Sequence, residues 1–161
     1  NMKTKYETIK FDTHQKEIVV ALIEQHVAGV NSLFWLNVEP DVHGKDIHTG
    51  SIFWKAFSSR GPVIPKFTWV SASISKSGNY QPAQLGLTHP TGNAVLQRLR
   101  DFNLTVSDDW MLQQDHPKRG LVFQLPREYD AGKVIDFGLS AIPVLSPFEC
   151  DNKFCLHYPM K

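Results

Sequence analysis

Residues 93–145 read NAVLQRLRDFNLTVSDDWMLQQDHPKRGLVFQLPREYDAGKVIDFGLSAIPVL, and the changes of hydrophobic period along this stretch decide the fold. The first part predicts a helix from Ala94 to Phe102, with Val95, Leu96 and Leu99 as its apolar positions. Trp110, Leu112, Leu121, Phe123 and Leu125 then alternate with polar neighbours. That pattern predicts two strands, Asp109 to Gln114 and Arg119 to Leu125, joined as a hairpin. From Glu128 to about Ile142 the period becomes helical again. Val134, Phe137, Gly138, Ala141 and Leu145 share one face, which Ile135, Leu139 and Ile142 widen. Glu128 and Asp130 suit the positive end of the helix dipole. Pro143 and Pro147 are expected to stop the helix, since proline lacks an N–H and its ring collides with the preceding turn. So broad an apolar stripe requires a sheet beneath it, and the hairpin supplies part of one.

Upstream, Asp12 with Gln15 three residues on has capping-box spacing and opens another helix. Its face is expected to comprise Ile18, Ala21, Leu22 and Gln25, broadened by Val19, Ile23, His26 and Val27, with Gly29 ending it. Ser32 to Val38 predicts a buried strand, Glu39 to Gly50 a polar loop, and Ile52 to Phe57 a strand. Phe67 to Ser75 predicts a half-buried strand and Lys76 to Gly92 a loop. Residues 1–11 allow an edge strand, and residues 146–161 a C-terminal tail or hairpin. The expected architecture is one α+β domain over 1–161. It has two layers, a mainly antiparallel sheet of about five strands covered by helices, in the order α-β-β-β-α-β-β-α.

The composition narrows the function classes. At 161 residues and 42% hydrophobic content the chain can bury a core. Its net charge is +1 with no long run of like charges, which argues against a nucleic-acid arm. No leader-like segment and no apolar run near the roughly 20 residues of a membrane span is visible. The expected location is therefore the cytoplasm. Asn1 ahead of Met2 is read as a cloning remnant. Cys150 and Cys155 are too few for a disulfide framework. A turn at Asn152-Lys153 would set them opposite each other for a bridge, and with His157 they would form an incomplete metal knuckle. Reduced thiols are the expectation for the compartment.

Val95, Leu96, Leu99 and Asn103, followed by the hairpin and the closing amphipathic helix, resemble the type III secretion chaperone-like fold, which includes the YbjN and TY-Chap families. Asn79 to Leu87 resembles the loop before the second helix of such proteins. The resemblance spans roughly Asp12 to Leu145 and implies a protein-binding, non-catalytic module, often a dimer.

Few constellations point to chemistry. Glu39, Asp41, His43, Asp46 and His48 set five potential metal ligands within one loop, with His89 or His116 as further donors for a small metal-dependent hydrolase. Their spacing matches no ligand motif, and a solvated polar loop accounts for them without further assumption. His89-Pro90-Thr91 has one half of a two-histidine phosphoesterase signature and lacks the other. No nucleophile elbow, phosphate loop or dinucleotide fingerprint occurs. Phe53 and Trp54, neighbours in a strand, must point to opposite faces, and Phe67 and Trp69 share a face. These four are the candidate partner-binding residues, the alternative being that they sit beneath the helices. The functional expectation is a chaperone-like or immunity-like protein-binding module with no cofactor, whose partner is another protein or a second copy. A nucleic-acid role for Arg98, Arg100, Lys118 and Arg119 is the weakest reading.

Overall fold

A computed structural model describes residues 5–26, 28–30, 33–42 and 64–160, with the backbone alone at 28–30. The strands are β1 (Tyr6–Asp12), β2 (Ala28–Val30), β3 (Trp35–Pro40), β4 (Lys66–Val70), β5 (Ala72–Ile74), β6 (Tyr80–Gln81), β7 (Gln84–Thr88), β8 (Met111–His116), β9 (Gly120–Gln124) and β10 (Lys153–Pro159). The helices are α1 (Glu17–Gln25), α2 (Val95–Asp101) and α3 (Ala131–Leu145). The chain is α+β, and its main sheet is larger than the five strands expected. Seven strands run in the order β1-β10-β3-β4-β7-β9-β8, every neighbouring pair antiparallel. A second, three-stranded sheet has the order β2-β5-β6, with β2 and β5 parallel.

The extra strands come from segments expected to be loop or tail. Gln84–Thr88 lies within the expected loop, yet its Leu85 and Leu87 alternate inward and both are fully buried. In the C-terminal segment Phe154 and Leu156 do the same, and β10 inserts between β1 and β3. The strand expected over Phe67 to Ser75 splits at Ser71. There the Ser71 N–H donates to the Phe34 carbonyl (2.8 Å) and the Phe34 N–H to the Ser71 hydroxyl (2.9 Å), after which the chain leaves for the small sheet. The strand expected at Ile52 to Phe57 lies outside the described residues.

One face of the main sheet carries the core. Phe11, Phe154, Leu156, Val38, Leu36, Phe67, Trp69, Leu85, Leu87, Leu121 and Phe123 all turn toward the helices. α3 lies over β3 and β4, and α1 and α2 pack against it. Its stripe is buried as expected, from Val134 to Leu145. It approaches the sheet closely at Gly138, where an added Cβ would lie 2.6 Å from the Phe67 ring. Pro143 does not stop this helix, which continues to Leu145. Two residues remain beyond it, Leu145 is held in the core, and the Ser146 hydroxyl and Arg98 Nε donate to the Ile142 and Val144 carbonyls (2.7 and 2.8 Å).

At the N-terminus the capping box forms as spaced: the His14 N–H donates to Asp12 and the Asp12 N–H to Gln15. It opens a 3-10 turn that leads into α1. The buried face of α1 is Val19, Val20 and Ile23, while Ile18 and Ala21 face outward. With residues 18–23 all apolar, periodicity alone could not choose the face. The helix ends at Gln25, and Gly29 belongs to β2.

Candidate functional site

The end of α2 builds one wall of an apolar groove. Asn103 takes the left-handed conformation (φ 60°), and two backbone bonds close the helix behind it. The Leu104 N–H donates to the Leu99 carbonyl (2.9 Å) and the Asn103 N–H to the Arg100 carbonyl (2.9 Å). This is a Schellman ending, which brings Leu104 against Leu99. The chain then runs to Trp110, whose ring stands edge-on to Phe137 (5.4 Å) and beside Phe123 (6.3 Å). Leu96, Leu99, Leu104, Val106, Trp110 and Phe123 line a groove of about 410 Å³, with Arg100, Thr105, Ser107 and Asp108 as its polar residues. Arg98 secures the outer wall through its bond to the Val144 carbonyl and lays its guanidinium 5.3 Å from the Phe102 ring centre.

Exposed apolar side chains adjoin this groove along the chain. Phe102 is 54% exposed just before the turn and Leu112 45% just after Trp110, while Met111, 58% exposed and opposite Gln124, points to the far face. Leu112 departs from the expected hairpin core. It faces the helix side, opposite Phe123, but the helix layer does not extend over it. Across the connecting segment, Trp110 and Phe137 also line a second cleft of about 380 Å³ with Lys133, Asp136 and Ser140. A third, of about 700 Å³, is bordered by Glu24, Asp109, Glu128 and Asp130 together with Arg127 and Tyr129.

The residues singled out in the sequence divide between core, far face and undescribed segment. Phe67 and Trp69 are 1% and 0% exposed under the helices, so they build the core and offer no surface to a partner. The Trp69 indole N–H donates to the Tyr129 hydroxyl (3.2 Å), the polar contact a buried indole needs. Phe53, Trp54, His43, Asp46 and His48 lie outside the described residues. Glu39 is a β3 residue whose carboxylate meets His157 Nε2 at 3.1 Å, and Asp41 lies 3.7 Å from the Lys10 ammonium. Among the described residues no three His, Cys, Asp or Glu side chains are grouped to hold a metal ion.

One polar relay crosses the far face of the sheet, where spacing in sequence gave no hint of it. The Thr8 hydroxyl lies 3.0 Å from His157 Nδ1, and Nε2 of that ring meets Glu39. Hydroxyl, imidazole and carboxylate in line is the wiring of an activated nucleophile. Here the hydroxyl sits exposed on an edge strand, and the three residues are cross-strand neighbours that fasten β1, β10 and β3 together. Cys155, opposite Glu39 in the ladder, has its thiol pushed up to about 11 by burial and then by Asp41. Both cysteines are free, and Cys150 donates to the Ser146 hydroxyl. His89 lies just after β7, outside any strand as expected, and is buried. No family model, curated protein or solved structure matches the chain.

Proposed function

We propose that the protein is a non-catalytic protein-binding module of the chaperone-like kind, the behaviour implied by its resemblance to the type III secretion chaperone-like fold. One observation supports this reading above others: the apolar groove between α2 and Trp110, with Phe102 and Leu112 exposed beside it. Large apolar side chains left in water at one end of a sheet commonly mark contact with another protein. A groove of this lining takes an apolar side chain of the partner, worth about 1.5–3 kcal/mol for each one fully buried. The near-neutral charge gives no long-range attraction for a polyanion and leaves shape and apolar contact as the basis of recognition.

The test is site-specific photocrosslinking from position 102 in cells of the source organism, with and without Leu104→Glu. The expected result is a discrete adduct with one protein, lost when a carboxylate enters the groove while the far-ultraviolet circular dichroism is unchanged. An adduct that persists in the Leu104→Glu chain, or no adduct at all, refutes the reading.

A further inference from the structure

His89 is the one buried histidine among the described residues, 1% exposed just after β7. Its two ring nitrogens are in unlike settings. Nδ1 accepts the Thr91 N–H at 3.2 Å, so it carries no proton, and the neutral ring keeps its hydrogen on Nε2. Nε2 has no hydrogen-bond partner among the described residues. A buried donor without an acceptor is costly, and buried polar groups are with few exceptions paired. An apolar side chain would fill the same place without that cost. What histidine adds is a proton taken up just below neutral pH.

Uptake of that proton undoes the contact that holds the ring. The proton must enter at Nδ1, where it meets the Thr91 N–H; two donors then face each other and the bond is lost. The charged groups on the elements around the ring are Asp115 and His116 of β8, Lys118 and Arg119 beside the hairpin turn, and Lys66 of β4, opposite Thr88. The 3-10 turn Gly92–Ala94 carries none, and the charges of α2 lie in its last turn. Asp115 favours the imidazolium, but burial outweighs it.

The position of the ring gives this proton a consequence. Pro90 and Thr91 lead through the 3-10 turn Gly92–Ala94 straight into α2, and that turn packs on β8. α2 has seven residues and no side-chain cap at its N-terminus. A helix so short does not stand alone in water. It depends on its buried Val95 and Leu99 and on the turn that delivers it. Leu96 and Leu99 are in turn a wall of the apolar groove.

We infer that His89 is an acid-sensitive latch: protonation of its ring frees the segment from His89 to Ala94, and the start of α2, with its wall of the groove, loosens with it. Opening returns the ring to water and to its ordinary proton affinity, so acid favours the open form by mass action. Release of a bound partner on acidification follows from this and rests on the binding reading above, whereas the latch itself does not.

Amide hydrogen exchange of the full chain from neutral pH to about pH 5, corrected for the intrinsic pH dependence of exchange, tests the latch without a partner. The opening constants at Thr91 and Leu99 should rise together below pH 6.5, by up to about tenfold per pH unit, and stay larger than those of α3. His89→Asn, whose Oδ1 can take the place of Nδ1 but binds no proton, should leave them level. A native chain without this rise, the same rise in His89→Asn, or opening at Thr91 only when α3 also opens would each overturn the latch. The imidazole nitrogen shifts give a check that needs no variant: a neutral ring with its proton on Nδ1 overturns it too. Loss of the position-102 adduct at acid pH in permeabilised cells, with the adduct kept by His89→Asn, would extend the latch to the partner, and an adduct indifferent to acid would overturn that extension. No adduct at neutral pH, with the exchange result as expected, would overturn the binding reading alone.

Discussion

Gly138→Ala is a substitution for which two physical effects oppose each other and the structure decides between them. In an exposed helix interior, replacing glycine by alanine stabilises by about 0.8–1.0 kcal/mol, because glycine loses more backbone freedom on folding. At position 138 the new methyl would lie 2.6, 2.7 and 2.9 Å from three ring atoms of Phe67. Carbon atoms in contact prefer about 3.5–4.0 Å. Roughly an ångström must therefore be found between α3 and β4. The Phe67 ring is 1% exposed, beneath a helix whose face is buried from Val134 to Leu145, so neither side can give way freely. Overpacking costs about 1–3 kcal/mol, and three ring atoms closer than 3.0 Å put this case in the upper part of that range, about 2–3 kcal/mol. The difference predicts a net loss of about 1–2 kcal/mol, a fall in Tm of roughly 2–8 °C for a chain of this size. Chemical denaturation of Gly138→Ala, Phe67→Leu and the double variant measures it. The double variant should be more stable than the sum of the single effects predicts, because the smaller side chain makes room for the methyl. A Gly138→Ala protein as stable as the native one, or additive effects in the double variant, would show that the helix does not bear on the sheet at Phe67.

Further outcomes follow from groups held in unusual settings. Gly120 has φ 86°, and a Cβ there would run into the Leu87 carbonyl; Gly120→Ala should cost about 3 kcal/mol or more, read by urea denaturation. His89 is 1% exposed, its Nδ1 accepts from the Thr91 N–H, and burial holds its pKa below the ordinary 6.5 against the pull of Asp115. The unfolded chain then binds a proton that the folded chain refuses, so stability should fall as pH drops below 6.5, by up to about 1.4 kcal/mol per pH unit; the fall should be shallower in His89→Leu, and identical pH profiles would refute the assignment. Tyr129 has its pKa pushed up to about 12, by burial first, with the Trp69 bond opposing and Tyr80 adding. Its contribution is intact below pH 10 and lost as pH rises toward 12, so the last step of the phenolate absorbance titration should coincide with unfolding and vanish in Tyr129→Phe.

The parts of the fold that could be read from sequence are those whose pattern is local. α3 shows its whole stripe, and the strands around Trp110 and Phe123 show their alternation. β7 was hidden because Pro82, Gly86 and Pro90 mark Lys76 to Gly92 as a loop, although Leu85 and Leu87 carry a strand period. β10 is bonded to partners 112 or more residues away, and a pairing so distant leaves no local trace beyond Phe154 and Leu156. The site was less legible than the fold. A large apolar side chain in a strand announces that it wants cover, not whether it receives it: Phe67 and Trp69 do, while Met111 and Leu112 remain exposed. The groove is assembled from α2, the segment after it, Trp110 and Phe123, and no stretch of sequence contains all its walls. The Thr8–His157–Glu39 relay is likewise brought together by strand order alone.

The helix layer is not centred on its sheet, and that asymmetry leaves apolar side chains uncovered at one end. At the β1 edge, Phe11 stacks on Phe154 at 5.6 Å and is 3% exposed, so the cover there reaches the last strand. At the β8 edge, Phe123 is 3% exposed while its ladder neighbour Leu112 is 45% exposed, so the cover ends within one strand spacing, about 4.8 Å. The covered edge carries Glu7 and Lys10 on its strand; the uncovered one begins with four uncharged residues. An apolar groove and an uncovered Leu112 therefore occur side by side, where a shift of the three helices toward β8 would have covered that side chain. A chain built only to be stable gains by making that shift, since each further apolar side chain covered adds about 1.5–3 kcal/mol. Leaving that end open withholds this stability and keeps apolar surface in reach of another chain.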